Sequence, residues 1–162
     1  MKAFTRFMDG IMTASKWFLI GVLGIMTLVL FFSVLSRYLL GISVPSSDPI
    51  ARFGQTWIML IGSAIALRKG LHIGIDNFIN MLPARFRQVV LHINALLIFV
   101  FACMMTVQGF KLIDIASNQT VPEMGIPMAW IYYMIPTAGI LLMLTSVEML
   151  LKRNIGTMVS KE

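Results

Sequence analysis

The sequence predicts an all-α integral membrane protein of four transmembrane helices, with both termini cytoplasmic and short amphipathic helices at the membrane surface. Three observations carry that prediction. The 162 residues are 58% hydrophobic and only 12% charged, about half the charged share of a soluble domain of this size, and the mean hydropathy is +0.86. Four long apolar runs are separated by short polar breaks. The bases are also distributed unevenly among those breaks, as the positive-inside rule describes for oriented membrane helices.

The elements follow in chain order. Over 3–14, Phe4, Phe7, Met8, Ile11 and Met12 fall on one stripe, with Lys2, Arg6 and Asp9 off it, the pattern of a helix lying in the interface. The alternative is a leader continuous with the next helix. Residues 15–40 form the first transmembrane helix: the run from Trp17 to Leu35 has no charge and is too long for a signal-peptide core. Gly41, Pro45 and Pro49 break the chain, and a second helix runs over 50–69. Residues 70–83 are too short to cross, yet Leu71, Ile75, Phe78, Ile79 and Leu82 repeat at helical spacing. An interfacial helix over 75–82 follows, with Asp76 as its N-cap and Pro83 as its stop. The third crossing spans 84–114. The fourth spans 127–152, with Pro127 in its first turn and a kink at Pro136 that frees the carbonyl of Tyr132.

Base counting orients the four spans. Lys2, Arg6, Lys16, Arg68, Lys69, Arg85, Arg87, Lys152, Arg153 and Lys161 fall on one side; Arg37, Arg52 and Lys111 fall on the other. Both termini and the 70–83 connector are therefore expected in the cytoplasm. The net charge of +6 does not indicate nucleic acid, because no basic patch interleaved with aromatics is present to follow phosphates.

Little in the chain carries chemistry. The single cysteine, Cys103, excludes an intrachain disulfide and reads as a small buried hydrophobe. The interiors of the spans carry no Asp, Glu, Lys or Arg except near their ends, so no ionisable path for an ion or substrate is expected at mid-depth. Glu148 lies a turn from the end of the fourth helix, with Lys152 at i+4, and reads as a snorkelling pair. His72 and Asp76, also i, i+4, supply half a metal site and read as a structural turn. His92 and Asn94 read as interface hydrogen bonds. No catalytic residue, metal ligand or cofactor site is expected, and the chain reads as part of an assembly, not an enzyme.

Four stretches in order resemble one family. Ser36-Arg37-Tyr38 is similar to an S-R-Y/F motif at the outer end of the first helix, and Trp57 through Lys69 (WIMLIGSAIALRK) to W-x-x-x-x-G-x-A-x-A-x-R. His72-Ile73-Gly74-Ile75-Asp76, followed by Leu82-Pro83, resembles H-I-x-V/I-D. Met124-Gly125-Ile126-Pro127 with Tyr132 and Ile135-Pro136 resembles an L-G-I-P…Y…I-P block. The family is the small membrane (DctQ-type) subunit of TRAP, or tripartite ATP-independent periplasmic, transporters, and the likeness covers roughly 15–150. Where the family commonly has a W-x-E-E pair, this chain reads Ser46-Ser47-Asp48-Pro49, one acid in place of two.

The resemblance implies a small scaffold subunit without cofactors in a sodium-coupled secondary transporter for organic anions, carboxylates such as C4-dicarboxylates or sialic acid. Its expected partners are a large many-helix transport subunit, a periplasmic substrate-binding protein and membrane lipids. On that reading Arg37, Asp48, Arg52 and Lys111 shape an outer docking surface, and Asp48 pairs locally with Arg52. Gly62 and Ala66 form a small-residue face for close helix packing. Trp17, Tyr38, Trp57 and Trp130 anchor the helices at headgroup level. A self-sufficient four-helix transporter working as a homo-oligomer is the alternative. A membrane enzyme or assembly factor using His72, Asp76 and His92 is a third reading.

Overall fold

A computed structural model describes residues 2–69 and 84–151. The expected interfacial helix over 75–82, with His72, Asp76 and Pro83, lies outside the described residues, as does Lys152. Among the described residues the chain is mainly helical, with non-helical connectors at 41–46 and 117–128, the second closed by an isolated bridge between Thr120 and Pro127. Four helices are long and apolar enough to cross a membrane.

The first helix, α1 (Lys2–Leu40), is continuous for 39 residues, so the boundary expected between 3–14 and 15–40 is absent. The amphipathic stripe and the apolar run share the helical period, no proline separates them, and the Thr13 hydroxyl bonds back to the Asp9 carbonyl within the helix and does not cap a new one. Buried Met8 and Met12 hold the leading section against the rest of the protein. Gly41 ends α1 at φ +68°, the left-handed C-terminal conformation that suits glycine. There the Ser36 hydroxyl donates to the Ile42 carbonyl at 3.2 Å.

Helix α2 (Ser47–Arg68) starts three residues earlier than the sequence suggests. Pro49 falls within its first turn, where the missing N–H has no helical partner to lose, and Asp48 meets the positive end of the helix dipole. Ser47 is buried; its hydroxyl donates to the Val44 carbonyl at 2.8 Å and accepts from Ser33 of α1 at 2.9 Å.

Helix α3 (Ala84–Ala116) leads into a compact hairpin. The Val121 N–H donates to Ile126 O at 2.9 Å, and the Met128 N–H to Gln119 O at 2.8 Å. Gly125, at φ +65°, makes the reversal that a side chain would strain. The hairpin buries Val121 against Ile131 and Met134, with Phe53, Trp57 and Leu60 of α2 packed alongside.

The last crossing is divided into α4 (Ala129–Tyr132) and α5 (Met134–Leu151). The interruption falls at Tyr133, between Pro136 and the carbonyls its ring displaces one turn earlier. Buried Pro136 faces Gly109 of α3, where an added Cβ would sit 2.9 Å from the proline Cδ. One turn deeper, a Cβ on Gly139 would meet the Thr106 backbone nitrogen at 3.1 Å and the Ala102 carbonyl oxygen at 3.2 Å. Lipid tails are as apolar as the side chains, so close van der Waals approach of helices is what holds such a contact.

The spans are arranged as a row. α3 packs on α5, α5 on α2, and α2 on α1. The α5 crossing is the most covered and α1 the least. A core of Ala64, Leu67, Ala102 and Leu142 joins the three helices α2, α3 and α5.

Candidate functional site

The strongest polar constellation lies where the ends of three helices meet. Glu148 of α5 is buried, with 3% of its side chain exposed. Arg68, the last residue of α2, grips it with a two-point fork: Nε donates to Oε2 at 2.7 Å and Nη2 to Oε1 at 3.1 Å. This geometry combines charge with fixed orientation. The same Nη2 reaches Asp9 Oδ1 of α1 at 2.7 Å and the Thr5 carbonyl at 3.5 Å. One guanidinium therefore fastens three helices, a role a lysine's single charge would not reproduce.

The expected pairing of Glu148 with Lys152 falls outside the described residues; the burial of Glu148 does not. The carboxylate does not snorkel toward solvent; it is enclosed and paired with Arg68, 80 residues earlier. Arg68 in turn is more than one of the orienting bases. The missed signal was available: Glu148 and Arg68 both sit at the base-rich ends of their spans, where antiparallel connectivity places α2 and α5 ends together.

At the opposite end the expected docking residues do not form one patch. Arg37 and Tyr38 are exposed on the last turn of α1, four and five residues beyond the Ser33–Ser47 contact with α2. Asp48 and Arg52 are exposed in the first turns of α2. The ion pairs among the described residues are both made by Arg68, so the local Asp48–Arg52 pair is not formed. Lys111 is exposed on α3, across α5 from this group. The Ser46 hydroxyl donates to the Glu123 carbonyl at 3.0 Å and ties the start of α2 to the hairpin that follows α3.

The aromatic residues divide in two. Trp17, Tyr38 and Trp130 are exposed along α1 and α4. Trp57 is half-buried near the middle of α2, edge-on to Phe18 of α1 with centroids 5.4 Å apart. It lies about 15 Å from either end of α2 at the α-helical rise and packs the α1–α2 seam. A Cβ on Gly62 would meet only Leu19 Cδ1 at 4.0 Å, and Ala66 is half-buried. Among the described residues an added Cβ meets neighbours within 3.4 Å at Gly54, Gly109 and Gly139.

The remaining candidates are local. His92 donates through Nδ1 to the Gln88 carbonyl at 2.8 Å within α3. Cys103 is half-buried and lines an apolar groove of about 270 Å³ with Met104, Val107 and Gln108. Among the described residues no group of three His, Cys, Asp or Glu side chains is placed to hold a metal.

Comparison with known proteins matches residues 26–154 to the family described as tripartite ATP-independent periplasmic transporters, DctQ component. A Haemophilus influenzae protein named "Putative TRAP transporter small permease protein" is 24% identical over 75% of this chain and 76% of its own length. The C4-dicarboxylate TRAP transporter small permease protein DctQ of Vibrio cholerae is 34% identical over 41% of this chain and 29% of its own length. The sialic acid TRAP transporter permease protein SiaT of Haemophilus influenzae is 26% identical over 74% of this chain, which spans only 20% of that longer protein. With four spanning helices in a row and the family match covering most of its length, the chain belongs to the DctQ component family of TRAP transporters, as a small permease subunit.

Proposed function

We propose that this multi-pass protein of the bacterial inner membrane is the scaffold subunit of a sodium-coupled uptake system for organic anions. It packs on the large transport subunit and extends the surface on which a periplasmic binding protein docks. The observation that carries this reading is the row of spans. A row has no interior to enclose a substrate path, whereas it leaves broad apolar faces, foremost that of α1, for a larger neighbour. The charged junction among the described residues is closed on itself, with Arg68 held by two carboxylates at one end of the molecule. It therefore suits fastening helices better than passing ions through mid-membrane.

Carboxylate substrates are supported by the names of two relatives, one for C4-dicarboxylates and one for sialic acid. With the base-rich end in the cytoplasm, the outer hairpin, Arg37, Asp48 and Arg52 face the periplasm and form the docking side on α1 and α2. Lys111 marks a second edge on α3. Reconstitution tests the reading. Proteoliposomes holding this chain, the large subunit and the binding protein should accumulate a carboxylate on a sodium gradient, and omission of any one should abolish uptake. Uptake by this chain alone would establish the self-sufficient transporter instead.

A further inference from the structure

A cleft of about 230 Å³ opens between α1 and α2 at the base-rich end, lined by Thr5, Asp9, Met12, Lys16, Ile65, Arg68 and Lys69. Its lining joins charged side chains to an apolar wall. Lys69 follows the last residue of α2, while Lys16 lies seven residues along α1 from Asp9, about 10 Å at the helical rise. Met12 and Ile65 form the apolar wall between them.

The charges of the cleft do not cancel. Arg68 is engaged by Asp9 and Glu148; Lys16 and Lys69 make no ion pair among the described residues. These five groups, three cations and two carboxylates, leave one unit of positive charge beside an apolar wall. A single phosphodiester anion neutralises it, and a ligand that also carries acyl chains covers Met12 and Ile65.

We propose that this cleft is a binding site for the phosphate of an anionic phospholipid, held between Lys16 and Lys69 with its chains along α1 and α2. The Arg68 junction sets the spacing of the two lysines, because it fixes α1 to the end of α2. A free phosphate shares the charge but not the apolar contact, so the two sources separate experimentally.

The test uses the full-length chain in micelles doped with phosphatidylglycerol or phosphatidylcholine of matched acyl chains, with retained lipid counted by native mass spectrometry. One equivalent of phosphatidylglycerol, retained in preference to phosphatidylcholine, is expected. The Lys16→Gln/Lys69→Gln variant should weaken that retention roughly thirty-fold, the combined effect of two lysines at a membrane surface. The control variant Arg37→Gln/Lys111→Gln, which removes two bases elsewhere, should retain the lipid as the parent does. Equal retention of the two lipids, unchanged retention in the double lysine variant, or an equal loss in the control overturns the proposal. Displacement of the lipid by millimolar inorganic phosphate would assign a small-anion site and also overturn it.

Discussion

Replacing Arg68 by Met tests the junction most sharply, because the consequence depends on which partner is left behind. The Glu148 carboxylate, 3% exposed, loses a two-point charged partner, and removal of one member of a buried pair costs about 3–5 kcal/mol. Glu148→Met leaves a different situation: Arg68 keeps Asp9 at 2.7 Å, a group 63% exposed, so its charge stays partnered and the cost should be about 1–2 kcal/mol. Replacing both residues by Met removes the buried charge along with the pair, and such swaps are often neutral or stabilising. The double variant should therefore be more stable than Arg68→Met alone, by at least about 1 kcal/mol of coupling. Denaturant unfolding of the full chain in mixed micelles, followed by tryptophan fluorescence, gives the four corners of the cycle. If Arg68→Met unfolds within about 0.5 kcal/mol of the parent, or if the two single costs simply add, the enclosed fork is not what fastens these helices.

Three further outcomes follow from the packing. Gly139→Ala places its Cβ 3.1 Å from the Thr106 backbone nitrogen and should destabilise by about 1–3 kcal/mol by overpacking. Gly24→Ala meets nothing within 4 Å and should be neutral or stabilising by up to about 1 kcal/mol from helix propensity; the same unfolding assay compares the two. Ser47→Ala removes the acceptor of Ser33 and a bond to Val44 in a buried site and should cost about 1–2 kcal/mol. Arg37→Ala/Arg52→Ala alters exposed, unpaired side chains, so stability should hold while binding-protein affinity in the reconstituted complex falls several-fold; unchanged affinity would move the docking surface elsewhere.

The sequence made the four crossings and the family legible, because hydropathy, base placement and short motifs are local signals. The contacts that join the crossings were less accessible. Arg68 and Glu148 are 80 residues apart, and nothing in the spacing to Lys152 indicated that Glu148 would turn inward. Gly62 and Ala66 showed a small-residue spacing on one helix. Gly109 and Gly139 stand singly on two different helices, and their complementarity exists only once α3 and α5 are side by side. The contact of Trp57 with Phe18 joins residues 39 apart and was not visible in the pattern of either helix. The continuity of α1 was a matter of absent breakers: the polar residues off its stripe do not interrupt a helix.

The polar contacts between α1 and α2, which fall at two heights, also fix what the pair can do in bilayers of different thickness. Asp9 meets Arg68 near one end and Ser33 meets Ser47 near the other, so a slide of one helical turn, about 5.4 Å, would break both. The pair is keyed at two heights like parallel rails with two crossties. Hydrophobic mismatch must then be met by tilting both helices together, which swings the projecting turn carrying Arg37 and Tyr38 sideways over the outer surface. Bilayer thickness thereby becomes a control on where that turn stands relative to any protein docked above it.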